Sequence, residues 1–441
     1  MTHNGTKMTR RHLVATGAVG LAGAFAGCTG GDGDSGGDGD SSGTSQATSG
    51  GSTTQVPSSE LTLSGWAADD TESELLKQLI GSFEENHSNI SVEYNPVQSN
   101  YKQKLKTQLG AGNAPDVFYV DANYFGSFAS EDVLLDLSDL SNAEEFDVDD
   151  FFQPLLEAFK YDGTLYGIPK DFSTLGLFFN TAMFEEASVE APETWSELRS
   201  ALSAVKESTD VKAPLVEFPN ARMWKAMLFQ NGGSMLNDAG DEAVFASDAG
   251  VEALQYLVDL KKDGLLAVPS ELGAGWHGAA LGSQEVAAAV LGPWGLPFLE
   301  ENHPEVNKNI DVAHLPIPED GQKATSAYTV SYSASAATES PAASKSLIKG
   351  MTSPDGMAKW AKKGLALSAR KSHRDLEYYQ NHPRRKTLLE AGEWSHPVAY
   401  GPNSEEIINL LHPQLEAAML EKKAPKQALE TAQSKINSEV F

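Results

Sequence analysis

From residue 60 onward the apolar positions fall into recurring strand-like and helix-like stretches. Leu61-Thr62-Leu63 alternates up to Gly65, which predicts a strand whose end presents Trp66, Asp69 and Asp70. Behind Thr71, an N-cap candidate with Glu74 three residues on, Leu75, Leu76, Leu79, Ile80 and Phe83 recur at helical spacing. Residues 90–94 predict a second strand and 101–109 a second helix. The turn at 112–116 then opens a buried strand over 117–120, which ends at Asp121-Ala122-Asn123. Strand, helix, strand, helix, strand is the order of a mainly parallel sheet, in which ligands gather at the carboxyl ends of strands. Trp66, Asp69, Asp70, Asp121 and Asn123 all fall at such ends.

Residues 161–180 hold two apolar runs with a break between them. Pro169 has no amide for a ladder, and Gly163 and Gly167 loosen the backbone, so one strand is expected to end here. A second, over 175–179, is apolar throughout, as a strand buried on both faces would be. A pause of this kind between two long α/β-patterned halves predicts a crossing between two lobes, with a ligand site between them. Beyond it, Pro192-Glu193-Thr194-Trp195 starts a helix, 223–228 is helical, Asn231-Gly232-Gly233 turns, and 249–262 is an amphipathic helix stopped by Gly264. Residues 285–291 predict a buried strand ending at Gly292-Pro293-Trp294-Gly295, and 312–317 a second crossing into the stretch 328–337. Helices over 342–347, 356–363, 405–420 and 425–436 close the chain.

Charge changes the picture of partners. Asp and Glu number 61 against 33 Lys and Arg, a net charge of −28, which argues against nucleic acid or anionic lipid and for a hydrated acidic shell suited to high salt. The 441 residues can bury two ordinary cores. At the N-terminus, Arg10-Arg11 precedes an apolar segment over 13–26 too short and too rich in Gly and Ala to span a bilayer, so 1–27 reads as a twin-arginine export signal. Phe25-Ala26-Gly27-Cys28 resembles a lipoprotein processing site, with Cys28 as the lipid-bearing residue; the alternative is a buried or reactive thiol. Cys28 is the one cysteine, so no intramolecular disulfide can form. Residues 28–59 are Gly, Ser, Asp and Thr with almost nothing apolar, and predict a disordered acidic linker.

Export signal, tether, Ala114-Pro115-Asp116-Val117, Leu165-Tyr166-Gly167-Ile168-Pro169, Asn180, Pro192-Glu193-Thr194-Trp195, Gln230-Asn231-Gly232-Gly233 and Leu291-Gly292-Pro293-Trp294-Gly295 follow in one order. In that order they make the chain resemble the extracellular solute-binding proteins of ABC importers, the sugar-binding branch (family 1) related to maltose-binding protein, from a halophilic archaeon. The resemblance implies a two-lobed α/β fold of the periplasmic-binding-protein type II, each lobe a mixed sheet flanked by helices, with a hinge between. It assigns 60–170 plus 315–360 to one lobe and 171–314 plus 361–441 to the other. Carried over by motif, Asn123 with Asp121 would accept sugar hydroxyls, Trp294 would stack on a ring, and Asp69 or Asp70 would be the acidic residue after the first strand. The family's frequent acidic residue ahead of the second-lobe strand falls on Ser173, with Asp171 nearby. The implied partners are a small-molecule sugar and the membrane permease. The implied protein is a monomer without cofactor, metal or catalysis, held on the outer face of the membrane through Cys28.

The chemistry of these residue types agrees. A sugar has a face of C–H groups and an equator of hydroxyls; Trp supplies flat apolar area and Asp and Asn supply fixed acceptors and donors. Gly275-Trp276-His277 offers a second aromatic wall. Trp195 and Trp360 lie in amphipathic helices and are expected to be structural, and the histidines show no metal-ligand spacing. Tyr378 and Tyr379, in a polar stretch with Arg384 and Arg385, are expected on a solvated face. Two other readings remain at this point: an exported polysaccharide-active enzyme built on a carboxylate pair, and a binding protein for a polyamine or metal chelate. Against an enzyme, the chain holds no HExxH, phosphate loop or CxxC.

Overall fold

Leu61 and Leu63 are both buried on β1 (Ser59–Trp66), as strand alternation requires. The computed structural model describes residues 58–441 apart from 67–69, 142, 144, 145 and 365, so the export signal, Cys28, nearly all of the linker and Asp69 lie outside the described residues. β1 pairs in parallel with β2 (Ile90–Val97) and β3 (Val117–Asp121), and the intervening helix Asp70–Asn86 buries Leu75, Leu76, Leu79, Ile80 and Phe83. That helix starts at Asp70, so Thr71 lies inside it rather than capping it. A two-residue hairpin joins β4 (Lys160–Tyr161) to β5 (Thr164–Leu165); Asp162 and Gly163 take φ of 47° and 77°, the Asp-Gly turn that such hairpins favour.

The expected break at Pro169 is absent. β6 (Gly167–Thr174) runs straight through it, because the partner register shifts there. Val330 faces Asp171 and Ser331 faces Pro169, which leaves Lys170 as the extra residue of a bulge. A bulge is where a proline is tolerated inside a sheet. The interruption falls instead at Leu175, a single residue before β7 (Gly176–Asn180).

β7 belongs to a second sheet with β8 (Leu215–Val216), β9 (Leu266–Ala267), β10 (Ala288–Leu291) and β11 (Ile310–Ala313), in the order β11-β7-β10-β8-β9. β10 is shorter than the expected 285–291, although Val286 and Ala287 ahead of it are buried. The chain returns to the first sheet through β12 (Thr325–Ala334), which pairs antiparallel with both β3 and β6 and parallel with β13 (Ser395–Pro397). Both sheets are mixed and flanked by helices; one apolar core runs from the first sheet onto one face of the second, whose other face is buried in a second core. The result is the expected two-lobed architecture.

Two stretches assigned in advance to the second lobe pack on the first. β13 joins the first sheet, and Leu367 and Arg370 bridge to Phe172 and Phe151. Arg370 explains the second of these contacts. Its fully buried guanidinium donates to the carbonyls of Thr352 (2.9 Å), Phe146 (3.1 Å) and Asp147 (3.3 Å) and to the Asp150 carboxylate (3.2 Å), with the Phe151 ring 4.3 Å away. Nor are Tyr378 and Tyr379 both solvated: Tyr379 is fully buried, and its hydroxyl accepts from the Ser368 amide at 3.1 Å.

Trp195 and Trp360 are structural, as expected. Trp195 donates to Gln230 Oε1 (3.2 Å) and the Pro316 carbonyl (3.1 Å), and Thr194 with Glu197 forms a capping box at the start of its helix, Trp195–Ser208. Arg370→Ala is therefore expected to destabilise the protein by about 3–5 kcal/mol, since it removes the cation paired with the Asp150 carboxylate and leaves the Thr352 and Phe146 carbonyls without that donor. Thr194→Ala, at a helix cap, should cost about 1 kcal/mol. Urea unfolding of both variants measures the contrast, and equal effects would contradict it.

Candidate functional site

β3 ends at Asp121, whose carboxylate accepts from the Asn123 amide at 2.8 Å and so caps the helix Ala122–Ala129. Asn123 Oδ1 in turn accepts from Ser404 Oγ at 3.3 Å. On the facing side, β8 leads through Glu217-Phe218-Pro219-Asn220 into the helix Arg222–Gln230, entered at Ala221 with φ 46°. Most of this helix is core: Met223, Trp224, Ala226, Met227 and Leu228 are fully buried, and Trp224 Nε1 donates to the Gly250 carbonyl at 2.9 Å. Arg222 and Lys225, three residues apart and so neighbours on one face, line a cavity of about 170 Å³. Asp121, Asn123, Tyr328 and Thr329 line it from the first sheet, and His412 of the helix Ser404–Met419 closes it.

The electrostatics of this cavity are set by burial. Asp121 is pushed up to about 6, mainly because its carboxylate is desolvated, against the pull of the Asn123 amide. Lys225 is only 3% exposed, and no ion pair or hydrogen bond holds it among the described residues; burial, then the Arg222 charge, brings it down to about 8. His412 falls to about 4 through burial and the repulsion of Lys225 and Arg222, so it is a neutral imidazole at pH 7. Burial also raises the Tyr328 hydroxyl.

Beside the cavity stands a second-lobe wall. Arg222 lies 4.5 Å over the Phe218 ring, and Phe218 meets His277 edge-on at 4.1 Å. Glu217 Oε2, Asn220 Oδ1 and His277 Nδ1 are buried without a hydrogen-bond partner. Burial pushes the Glu217 carboxyl up to about 7, opposed by the Phe218 amide and the Arg222 charge, and burial with Arg222 repulsion takes His277 down to about 3. Three buried polar atoms without partners on one wall are a set of vacant donor and acceptor positions.

The anticipated residues divide. Asp121 and Asn123 line the cavity, and Trp294 is one ring away, edge-on to Tyr328 at 6.2 Å. Ser173 faces Tyr328 across the β6–β12 ladder. Trp276 packs edge-on against Phe298 at 4.6 Å and His277 at 5.3 Å. Both indoles lie flat on a glycine: a Cβ at Gly292 would meet the Trp294 ring at 2.3 Å, and one at Gly278 the Trp276 ring at 2.2 Å. Trp66 instead packs edge-on against Tyr101 and Tyr119 at 5.3 and 5.4 Å, and Asp70 is an exposed first residue of its helix.

Asp171 is committed elsewhere, to the Lys170 ammonium and to Trp360 Nε1 at 3.1 Å. The sequence reading passed over Arg222, Lys225, Tyr328, His412 and Glu217. The signal that could have found two of them is a pair of cations on an otherwise apolar helix, just after a Pro-Asn turn, in a strongly acidic chain. Among the described residues no cluster of His, Cys, Asp and Glu could hold a metal ion, and no helix is long and apolar enough to cross a membrane.

Comparison with known proteins follows the same lines. The chain is 25% identical over 274 residues to an arabinooligosaccharide-binding protein of Bacillus subtilis, a match covering 60% of this chain and 62% of that relative. It is 29% identical over 310 residues to the xylose/arabinose-binding protein XacG of Haloferax volcanii, covering 65% and 66% of the two chains. The sugar-binding protein MalE of Xanthomonas citri superposes with a TM-score of 0.79 at 20% identity, over 86% of this chain and 97% of that one, and shares its fold. A family model matches residues 78–387, and the chain belongs to the bacterial extracellular solute-binding protein family.

Proposed function

We propose that this protein is the substrate-binding subunit of an ABC importer, which takes up a sugar between its lobes outside the cell and presents it to the membrane permease without altering it. The observation that carries this reading is the cavity lined from both sheets, with Asp121 and Asn123 on one side and Arg222 and Lys225 on the other. A solute that touches both sides stabilises the closed arrangement, which is what a permease can recognise. Relatives that bind arabinose, xylose and arabino-oligosaccharides favour a pentose or short oligosaccharide as the solute.

In this reading Trp294, with Tyr328, forms the apolar wall, Trp276 forms a second, and Glu217 and Asn220 supply the acceptors now without partners. Asp70, Trp66, Asp171 and Ser173 are left as residues of the rim or of its support, and Asp69 lies outside the described residues. The hinge lies at Leu175 and in the segment between β11 and β12, and the lobes keep the boundaries read from sequence except for 171–174, 366–375 and 395–397, which join the first lobe. Twin-arginine export, lipid attachment at Cys28, a monomeric state and a halophilic source complete the proposal.

The proposal is checked by calorimetric titration in molar salt with arabinose, xylose, glucose and their short oligomers. One sugar should bind saturably and be recovered unaltered. Gly292→Ala should weaken it by roughly tenfold or more with little loss of stability, because the new Cβ displaces the Trp294 ring and not the backbone. Unchanged affinity in that variant would remove Trp294 from the site.

Glu217 gives a separate test with pH. Its folded carboxyl titrates near 7 against an unfolded value near 4.5. The stability tied to the protonated form is therefore complete below 4.5 and lost as pH rises through 7. Glu217→Gln should raise the melting temperature relative to the parent more at pH 8 than at pH 5. A difference that does not vary with pH would refute the assignment.

A further inference from the structure

The cavity between the lobes holds more positive charge than its surroundings need. Lys225 is nine-tenths or more buried and has no partner among the described residues. Arg222, beside it, makes no ion pair there either, and its guanidinium lies 4.5 Å over the face of Phe218. The nearest carboxylates do not supply the missing counter-charge. Asp121 spends one oxygen on the Asn123 amide, and among the described residues it forms no ion pair with Arg222 or Lys225. Glu217 is near enough to feel Arg222 but does not pair with it, and at neutral pH it is about half protonated. His412, on the remaining side, is neutral.

A buried ammonium without a counter-ion is costly, and sequences keep one where something else supplies the charge. The setting sharpens the point. In a chain of net charge −28, carboxylates are the commonest neutralising groups available, yet among the described residues none forms an ion pair with either cation. Arg222 offers the planar fork that matches an oxyanion, and Lys225, on the same helix face, offers a point charge beside it. A neutral sugar would hydrogen-bond to both and leave the desolvated charge uncompensated.

We propose that the solute is an acidic sugar whose oxyanion, a carboxylate or a phosphate, lies between Arg222 and Lys225 while its ring hydroxyls face Asp121 and Asn123. This rests on the sugar-receptor reading and narrows it. The cavity, at about 170 Å³, is below the roughly 300–1,000 Å³ usual for drug-sized ligands and suits one charged ring, with any further units extending toward Tyr328 and Trp294.

The test is calorimetric titration of the full chain in molar salt with matched pairs: galactose and galacturonate, glucose and glucuronate, glucose and glucose 6-phosphate, and xylobiose with and without a uronate branch. At least one acidic member should bind roughly ten- to hundredfold tighter than its neutral partner, the scale of a charge-assisted hydrogen bond. Whether the uronates or the phosphate lead tells the two oxyanions apart. Lys225→Met, close in volume and free of the buried charge, should melt no lower than the parent and lose at least about tenfold in affinity for the acid. Arg222→Gln should do the same to affinity. Neutral sugars that bind as tightly as their acids, or an acid affinity unchanged in both variants, would overturn the proposal and leave the sugar receptor standing. Binding of neither kind would overturn the receptor reading and this inference with it.

Discussion

Two of the passages between the sheets meet at one point, where the Thr325 hydroxyl accepts from the Leu175 amide at 3.3 Å and donates to the Leu175 carbonyl at 3.0 Å. Leu175 is the one residue between β6 and β7, and Thr325 is the first residue of β12. The chain leaves the first sheet at one and returns to it at the other. Thr325 is 2% exposed, so neither backbone group has water as an alternative partner. The two crossings are thereby held together at their ends. Tyr328 and Thr329, three and four residues along β12, are carried into the cavity by this arrangement, and Thr329 Oγ1 donates to the Asp171 carbonyl at 2.8 Å.

The opening elements of the first sheet were legible in the sequence because burial leaves a period. Alternation at Leu61 and Leu63, the helical spacing behind them, and the apolar run before Asp121 all arise from one face or both being removed from water, and each became the expected element. Pro169 shows where such reasoning stops. Its missing amide predicts the end of a strand, but a bulge in β6 opposite β12 supplies a position that needs no donor, and that bulge depends on a partner about 160 residues away. Tyr379 fails for a similar reason: its neighbours are polar, and the Ser368 amide that its hydroxyl meets is not visible in their spacing.

The site divides along the same line. Asp121 and Asn123 sit at the end of a readable strand, so position alone nominated them. Asp171, nominated by likeness to a pattern, is drawn instead toward Lys170 and Trp360, because the bulge turns that part of β6 into the first core. Arg222 and Lys225 gave a weaker signal. Their helix reads as apolar, and cations on an apolar helix ordinarily point to solvent. Only the approach of β3, β12 and the helix Ser404–Met419 makes that direction an interior.

That interior bears on how such a receptor would report its state. A solute shifts a two-state equilibrium only by its differential affinity for the two states, and moving a population from one in a hundred to ninety-nine in a hundred takes about 5.5 kcal/mol. Contacts made to the solute alone are one source of that difference. The other is whatever penalises the closed arrangement when it is empty. Lys225, buried without a partner, and Glu217, Asn220 and His277, buried with vacant atoms, are penalties of this second kind. Each is relieved when the lobes part and water returns, or when a solute occupies the position. The groups that attract the solute thus also oppose closure without it, so the closed form seen by a permease would be the loaded one.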